Sequence, residues 1–433
     1  MRAIVIGGGP AGIAAACTLV QAGIEVLLLE RTPRLGGRAA SFIHPQIKQE
    51  VDYGHHILMR CCTESIALLS QLGVAEAVSF QARLRVPIRA PGGVSVLTST
   101  LLPGACHLLP SLLRYRHLRP SERLSVMCAA PPLLLNEAPV GETFASFLSR
   151  CGQGERTIAR LWDPISIATL NAHVEEVGAS YLWKVFKDGF LQPHGADLGF
   201  FVRPLSRIFA AAIPFLRARG GTVQLKTPVA RVLLEGGKAT GVTLADGERL
   251  NADWIIAAVP PDDLLSLLPH PISEHEPFSL LRRLQYAPIV NLHLWFDHSV
   301  MEEPFFIAVD SPIQAVFDVS RIQEKEGPAH VVVSQSAAAE WVHLPIRVIQ
   351  ERLMSALITL VPGIKKARLV EALTIKRPFA TFLPSPESGS LRPTPQTPIR
   401  GLLLAGDSTA TGWPATLEGA VRSGRAAVGC ILE

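Results

Sequence analysis

The chain has no C-x-x-C pair, no C-x-x-C-H haem site and no apolar run long enough to span a bilayer. Each absence excludes a class. Its seven cysteines are an odd number, scattered at Cys17, Cys61, Cys62, Cys106, Cys128, Cys151 and Cys430, which argues against a disulfide framework and for a reducing cytoplasm. No stretch reaches the ~18 uninterrupted apolar residues of a membrane helix. The opening MRAIVIGGGPAG breaks into glycines instead of a cleavage site, so it is expected to form a first β-strand and not a signal peptide. Charge of one sign is scarce too: 41 basic against 37 acidic residues leave a net +4. With no recognition motif and no long basic stripe, no nucleic-acid partner is expected.

What is present is bulk and apolarity. With 433 residues, 48% of them hydrophobic, the chain can bury a large core divided over two or three domains. Basic residues cluster once, at Arg114, Arg116, His117, Arg119 and Arg123, just after the apolar LLPGACHLLPSLL. One reading is a peripheral patch on an anionic bilayer, leucines down and arginines at the headgroups. The other is a solvated loop between helices, and the prolines weaken any continuous amphipathic helix.

RAIVIGGGPAGIAAACTLVQAGIEVLLLER reads as strand, helix, strand. Gly7, Gly9 and Gly12 stand in G-x-G-x-x-G spacing: Gly7 for the tight turn, Gly9 for approach of a pyrophosphate, Gly12 for close helix packing. Pro10 and Ala11 open the helix, Gly23 suits its end, and the second strand finishes in Glu30 beside Arg31, placing a carboxylate for ribose hydroxyls. This is a dinucleotide site, with NAD and FAD not yet separated. The following ERTPRLGGR, with Gly36, Gly37 and Arg38, resembles the extended signature of FAD-dependent amine oxidases and carotenoid desaturases. The resemblance implies FAD, with Arg38 reaching its phosphates.

FAD is too long for one such unit, and PIRGLLLAGDSTATGWPATLEGAVRSG supplies a second. An apolar strand ends at Gly406 and Asp407, whose carboxylate can accept from ribityl hydroxyls. A helix then begins near Ala415, Thr416 and Leu417, with Thr416 as N-cap and its amino end suited to the charge of reduced flavin. The expected fold is α/β: a discontinuous Rossmann-like FAD-binding domain from 1–80, 197–262 and 395–433, and an α+β substrate domain from 81–196 and 263–394. The membrane-facing patch would lie near 101–135. Residues 345 to 362 read as a helix, since Ile346, Ile349, Leu353, Ala356, Leu357 and Leu360 share a face.

Three blocks, VDYGHHILMRCCTESIALLSQLG, LWDPISIATLNAHVEEVGASYLWKVFKDGF and LLLAGDSTATGWPATLEGAVRSG, together resemble the hydroxysqualene dehydroxylases, FAD-dependent desaturase-like enzymes of bacterial hopanoid synthesis. The resemblance spans essentially the whole chain. It implies reductive removal of an allylic hydroxyl from a C30 isoprenoid, hydroxysqualene, giving squalene, with the reductant of FAD left open. It also implies that the Val229 backbone contacts adenine. The chain departs from the family pattern at Tyr53 and His55, where Asn and Gln are expected, and at Ser408, where Trp is expected and Trp413 follows instead.

The proton for the departing hydroxide has three candidate sources, His56, His55 and Asp52. His56 matches the family's histidine; the alternative is that it only bonds backbone beside the flavin, or carries a covalent flavin link. No metal site is expected from His55 and His56, because adjacent side chains rarely converge. Trp162, Asn171 and Trp413 are candidates for facing substrate, with Asn171 equally readable as satisfying buried backbone. Trp183, Phe186, Phe190, Phe200, Phe201, Trp295 and Phe296 either line a tunnel or form plain core. A carotenoid-type desaturase, a flavin amine oxidase and a non-catalytic FAD-bound lipid carrier are the rival readings.

Overall fold

The computed structural model describes residues 1–135 and 140–433. The first segment forms strand Arg2–Ile6, helix Pro10–Gln21 and strand Glu25–Glu30. These two strands sit inside a five-stranded sheet in the spatial order Thr222–Leu225, Glu25–Glu30, Arg2–Ile6, Trp254–Ala257, Leu402–Leu404. All four pairings are parallel. Sequences such as AIVI and LLL suit that place, because a parallel strand is buried on both faces and shows no alternation.

One face of the sheet is covered by helix Pro10–Gln21, with the C-terminal helix Leu417–Leu432 beyond it. The other face packs against the antiparallel meander Val229–Glu235, Lys238–Leu244 and Arg249–Asn251 through Val232, Val242 and Leu244. The first and last helices touch closely. A Cβ on Gly424 would lie 2.1 Å from the Ala11 carbonyl oxygen, so only glycine allows this approach.

A second sheet has seven strands, in the order Leu369–Phe382, Tyr286–Phe296, Ala329–Gln335, Ala315–Asp318, Phe305–Ala308, Arg85–Ala90, Gly93–Thr98. Side chains alternate across it. Val290, Leu292, Leu294, Val331 and Val333 pack under helix Ile346–Leu360, meeting Ile349, Leu353 and Leu357. The opposite face presents Asn291, His293, Trp295 and His330, all buried. That helix matches the periodicity expected for residues 345 to 362.

Short helices between Leu109 and Phe190 build a separate layer around Phe144, Trp162, Leu182 and Phe186. The basic segment is not one amphipathic helix. It runs as a tight turn Gly104–Leu108, a short helix Leu109–Leu113 and, after a break at Arg114, helix Pro120–Leu135. Leu101, Leu102, Leu113 and Leu124 are exposed there. Among the described residues no helix is long and apolar enough to cross a membrane.

Gly424→Ala is expected to push the last helix off the first and cost ~1–3 kcal/mol, read as a fall in Tm. An unchanged Tm would show that the two helices can part without penalty.

Candidate functional site

A cleft of about 820 Å³ opens where the parallel strands end, the position that open α/β sheets give to ligands. From the N-terminal unit it is lined by Gly7, Gly9, Pro10, Ala11, Glu30, Arg31, Gly37 and Arg38. From the far end of the chain come Gly406, Asp407, Ala415, Thr416 and Leu417, with Val229 between the two groups. Gly12 lies behind this wall, where a Cβ would meet the Gly7 carbonyl oxygen at 1.9 Å. Its absence of a side chain sets helix packing and not ligand contact.

The walls suit an anionic dinucleotide. Helix Pro10–Gln21 has Gly9 as its N-cap and no side-chain cap, leaving first-turn amides for a phosphate. Glu30 is buried, its carboxylate accepting from Gly8 N at 2.7 Å and Thr32 N at 2.8 Å. Lone pairs remain on both oxygens for ribose hydroxyls. A Cβ on Gly37 would stand 3.1 Å from Gly9 Cα, so the two glycine loops meet at this point.

Arg38 pairs with the Asp407 carboxylate and donates to Ala380 O at 3.0 Å. Burial works against the guanidinium's charge, and Asp407 more than offsets it, leaving its pKa raised. Two residues that the sequence did not single out hold this region. Arg392, buried, donates to Asp407 O at 2.9 Å, Trp413 O at 2.8 Å, Thr411 Oγ1 at 3.2 Å and Thr409 O, fixing the loop after the last strand. Glu418, fully buried, accepts from Ser65 N at 2.8 Å and Glu64 N at 3.1 Å, capping helix Thr63–Gln71 from across the fold. Thr416 caps its own helix, accepting from Gly419 N at 3.1 Å.

The other end of the cleft is built from Tyr53 to Ile57, Ile167 to Asn171, Ile289, Asn291 and Arg377. His56 Nδ1 donates to Gly54 O at 2.9 Å, which leaves Nε2 as its free nitrogen. Burial lowers its pKa, with Asp52 pulling the other way, so the ring is neutral near pH 7. His55 stacks on Phe317 at 4.4 Å and burial pushes its pKa down to about 3.

Asp52 does not join them in the cleft. Its Oδ1 accepts from Ser41 Oγ at 2.5 Å and Leu205 N at 3.0 Å, and burial raises its pKa. Asn171 does reach the cleft wall, but its amide is used: Nδ2 donates to Ala287 O at 2.9 Å and Thr381 Oγ1 at 2.8 Å, while Oδ1 accepts from Ala337 N at 2.7 Å. It pins three segments together. Trp162 is only 4% exposed in the helical layer, donating to Gln153 Oε1 at 3.0 Å. Trp413 lies between Lys184, 4.8 Å from its ring, and Arg422, 5.0 Å away. Neither tryptophan lines the cleft, and of the seven aromatic candidates only Phe201 does.

Acid sensitivity follows from the buried histidines. His55 and His293 both have pKa values pushed down to about 3 from 6.5, chiefly by burial, so the unfolded chain takes up protons that the folded chain refuses. Stability should be full above pH 6.5 and fall as pH drops from there toward 3, by ~1.4 kcal/mol per pH unit for each ring. Urea midpoints from pH 7.5 to 4.5 check this, and His293→Gln should flatten the slope by one proton's worth. A slope unchanged in that variant would place the acid sensitivity elsewhere.

The family described as flavin containing amine oxidoreductase matches residues 10–432. A hydroxysqualene dehydroxylase of Sinorhizobium fredii is 26% identical over 438 residues, covering 99% of this chain and 98% of its own. A 15-cis-phytoene desaturase of Synechococcus elongatus is 24% identical over 456 residues, covering 100% and 96%. Among solved structures, an oxidoreductase from Methanosarcina mazei superposes with a TM-score of 0.79 at 19% identity, over 100% of both chains. The chain therefore belongs to the flavin-containing amine oxidoreductases, as an FAD-dependent oxidoreductase.

Proposed function

We propose that the protein reduces hydroxysqualene to squalene, with reduced FAD as the hydride source. The observation that carries this reading is the composition of the cleft beyond the cofactor-binding residues. Ile57, Ile167, Leu170, Phe201 and Ile289 give it apolar surface among uncharged polar groups such as Asn291, Ser334 and Thr381, and the charged residue at that end is Arg377, 4.9 Å from the Tyr53 ring. The carboxylates lining the cleft, Glu30, Asp263 and Asp407, belong to its cofactor end. A cationic amine would meet repulsion and no counter-charge, whereas a hydrocarbon would be at home. The full-length likeness to a hydroxysqualene dehydroxylase supports the same choice.

The overall reaction is hydroxysqualene plus reduced FAD giving squalene, water and oxidised FAD. Bound reduced FAD supplies the hydride. The protein must hold the allylic carbon against it, keep water away from that carbon, and supply a proton as the carbon-oxygen bond breaks. His56 is the candidate to hand over that proton at Nε2, which is bare in the neutral ring while Nδ1 stays tied to Gly54 and must first take the proton up. Because burial disfavours its charge, it is protonated only in passing. The relatives that are phytoene desaturases support a second reading, oxidative desaturation of an isoprenoid in the same cleft.

The exposed Leu101, Leu102, Leu113 and Leu124, beside exposed Arg114, Arg116 and Arg119, fit the cytoplasmic face of an anionic bilayer. An insoluble C30 substrate would be drawn from there.

A single turnover tests the reaction. Protein with its flavin reduced under nitrogen is mixed with hydroxysqualene, and flavin reoxidation should match squalene by mass spectrometry. Flavin that stays reduced in folded, lipid-bound protein would reject the dehydroxylase. His56→Ala should slow squalene formation by ~100-fold with FAD retained; undiminished formation would remove His56 from the reaction. Leu101→Ser with Leu124→Ser should weaken sedimentation with phosphatidylglycerol vesicles, and equal sedimentation would reject the patch.

A further inference from the structure

Behind the cleft, on the polar face of the seven-stranded sheet, lies a small cavity of about 10 Å³, room for about one water molecule. Its wall includes His55, His293, His330 and Gln323, together with Asp52, whose Oδ1 is taken by Ser41 Oγ and Leu205 N, and the partly exposed Glu50 and Lys325. His55 lines this cavity and the cleft as well, so its ring is the partition between them.

The polar atoms around the cavity are short of partners. His55 Nε2, His293 Nε2, His330 Nδ1 and Gln323 Oε1 are shielded from solvent and make no hydrogen bond among the described residues. Four such orphans in one place would each cost ~1–3 kcal/mol if left dry, and a water needs two to four polar partners, which is what they offer. The rings are not free to turn away. His330 stacks on Trp295 at 4.3 Å and 8°, its Nε2 lies 3.0 Å from His293 Nδ1, and Phe317 holds His55.

This is not a metal centre. Among the described residues the one group of three candidate ligands whose atoms lie within 4.8 Å of one another is Asp163, His173 and Glu175, elsewhere in the fold. Nor do its imidazoles store charge: burial drives the pKa values of His55 and His293 down to about 3 and that of His330 well below its ordinary value. Neutral imidazoles accept at one nitrogen and donate at the other, which is the requirement for passing a proton without holding it.

We propose that His55 conducts protons between the cleft and a water held in this cavity, with His293, His330 and Gln323 orienting that water. The proposal rests on the reading that the cleft reaction consumes a proton. As hydroxide departs in the cleft, His55 passes its Nδ1 proton to His56, which hands it on to the hydroxide, while His55 Nε2 takes one from the cavity water. The ring is neutral before and after but in the opposite tautomer, water forms in the cleft, and the hydroxide left in the cavity is neutralised by a solvent proton entering past Glu50 and Lys325. Proton exchange with solvent through the emptied cleft and the cavity restores the starting tautomer between turnovers.

A crystal structure of the wild-type holoprotein at better than ~1.5 Å should show one ordered water within ~3.2 Å of His55 Nε2 and of His330 Nδ1 or Gln323 Oε1. A dry cavity overturns the proposal whatever the enzyme's product. Nitrogen-15 spectra of labelled histidines should show His55, His293 and His330 as neutral tautomers at pH 6; a charged ring among them would also overturn it. In single turnover, His55→Phe and the milder His55→Gln should each slow flavin reoxidation at least tenfold with FAD still bound, and the His55→Gln solvent isotope effect should exceed the wild type's. Wild-type rates in either folded variant would overturn the conduit. A water in place with no squalene from wild-type protein would reject the dehydroxylase reading and with it the reaction the conduit serves, whereas squalene from a protein with a dry cavity would reject the conduit alone.

Discussion

The contact between Gly424 and the Ala11 carbonyl is the constraint on which the cofactor half depends. Helix Leu417–Leu432 can lie on helix Pro10–Gln21 only because neither residue carries bulk at the crossing. That crossing brings the amino end of the last helix to the same cleft as the first glycine turn, although more than 400 residues separate them. Strand Leu402–Leu404 joins the sheet beside Trp254–Ala257 and not beside the first strand. Helix packing, and not direct strand pairing, therefore joins the two ends of the chain.

Once the ends meet, charge has to be buried, and each buried charge is answered locally. Asp407 faces Arg38, Glu418 takes two backbone amides and an arginine, and Arg392 spends its donors on carbonyls of the loop it holds. A buried ion pair adds little net stability, but breaking one side of it is costly. These groups thus act chiefly to exclude other arrangements of the loop from Asp407 to Trp413. At the Asp407 end of the cleft these charged groups hold the backbone, while at the other end Asn171 pins three segments with neutral hydrogen bonds.

The strand, helix and strand of the N-terminal unit were legible because their information is local: glycine spacing, an apolar strand and a terminal acid fall within 30 residues. The helix Ile346–Leu360 was legible for a similar reason, since amphipathic spacing survives any tertiary context. Trp162 and Trp413 were not, because an aromatic in an apolar stretch looks the same whether it faces a ligand or a neighbouring helix. Arg392 sits in LRPTP with nothing nearby to mark it, and its partners lie 15 to 21 residues onward in a loop whose path depends on the fold. Asn171 was visible as an oddity, but its φ of 57° and its three partners come from distant segments.

The histidines of the second sheet did carry a signal. In VNLHLWF the polar and aromatic residues Asn291, His293 and Trp295 alternate with Val290, Leu292, Leu294 and Phe296, and His330 stands opposite Trp295 on the next strand. Period-two alternation usually means one face in water, yet all four of these residues are buried. A sheet whose polar face is hidden has placed hydrogen-bonding groups where they must find partners inside the protein. Here that face backs onto the cleft, so the sheet keeps hydrogen-bonding groups directly behind the cleft wall. Among the described residues His55 is the one side chain that belongs to both compartments.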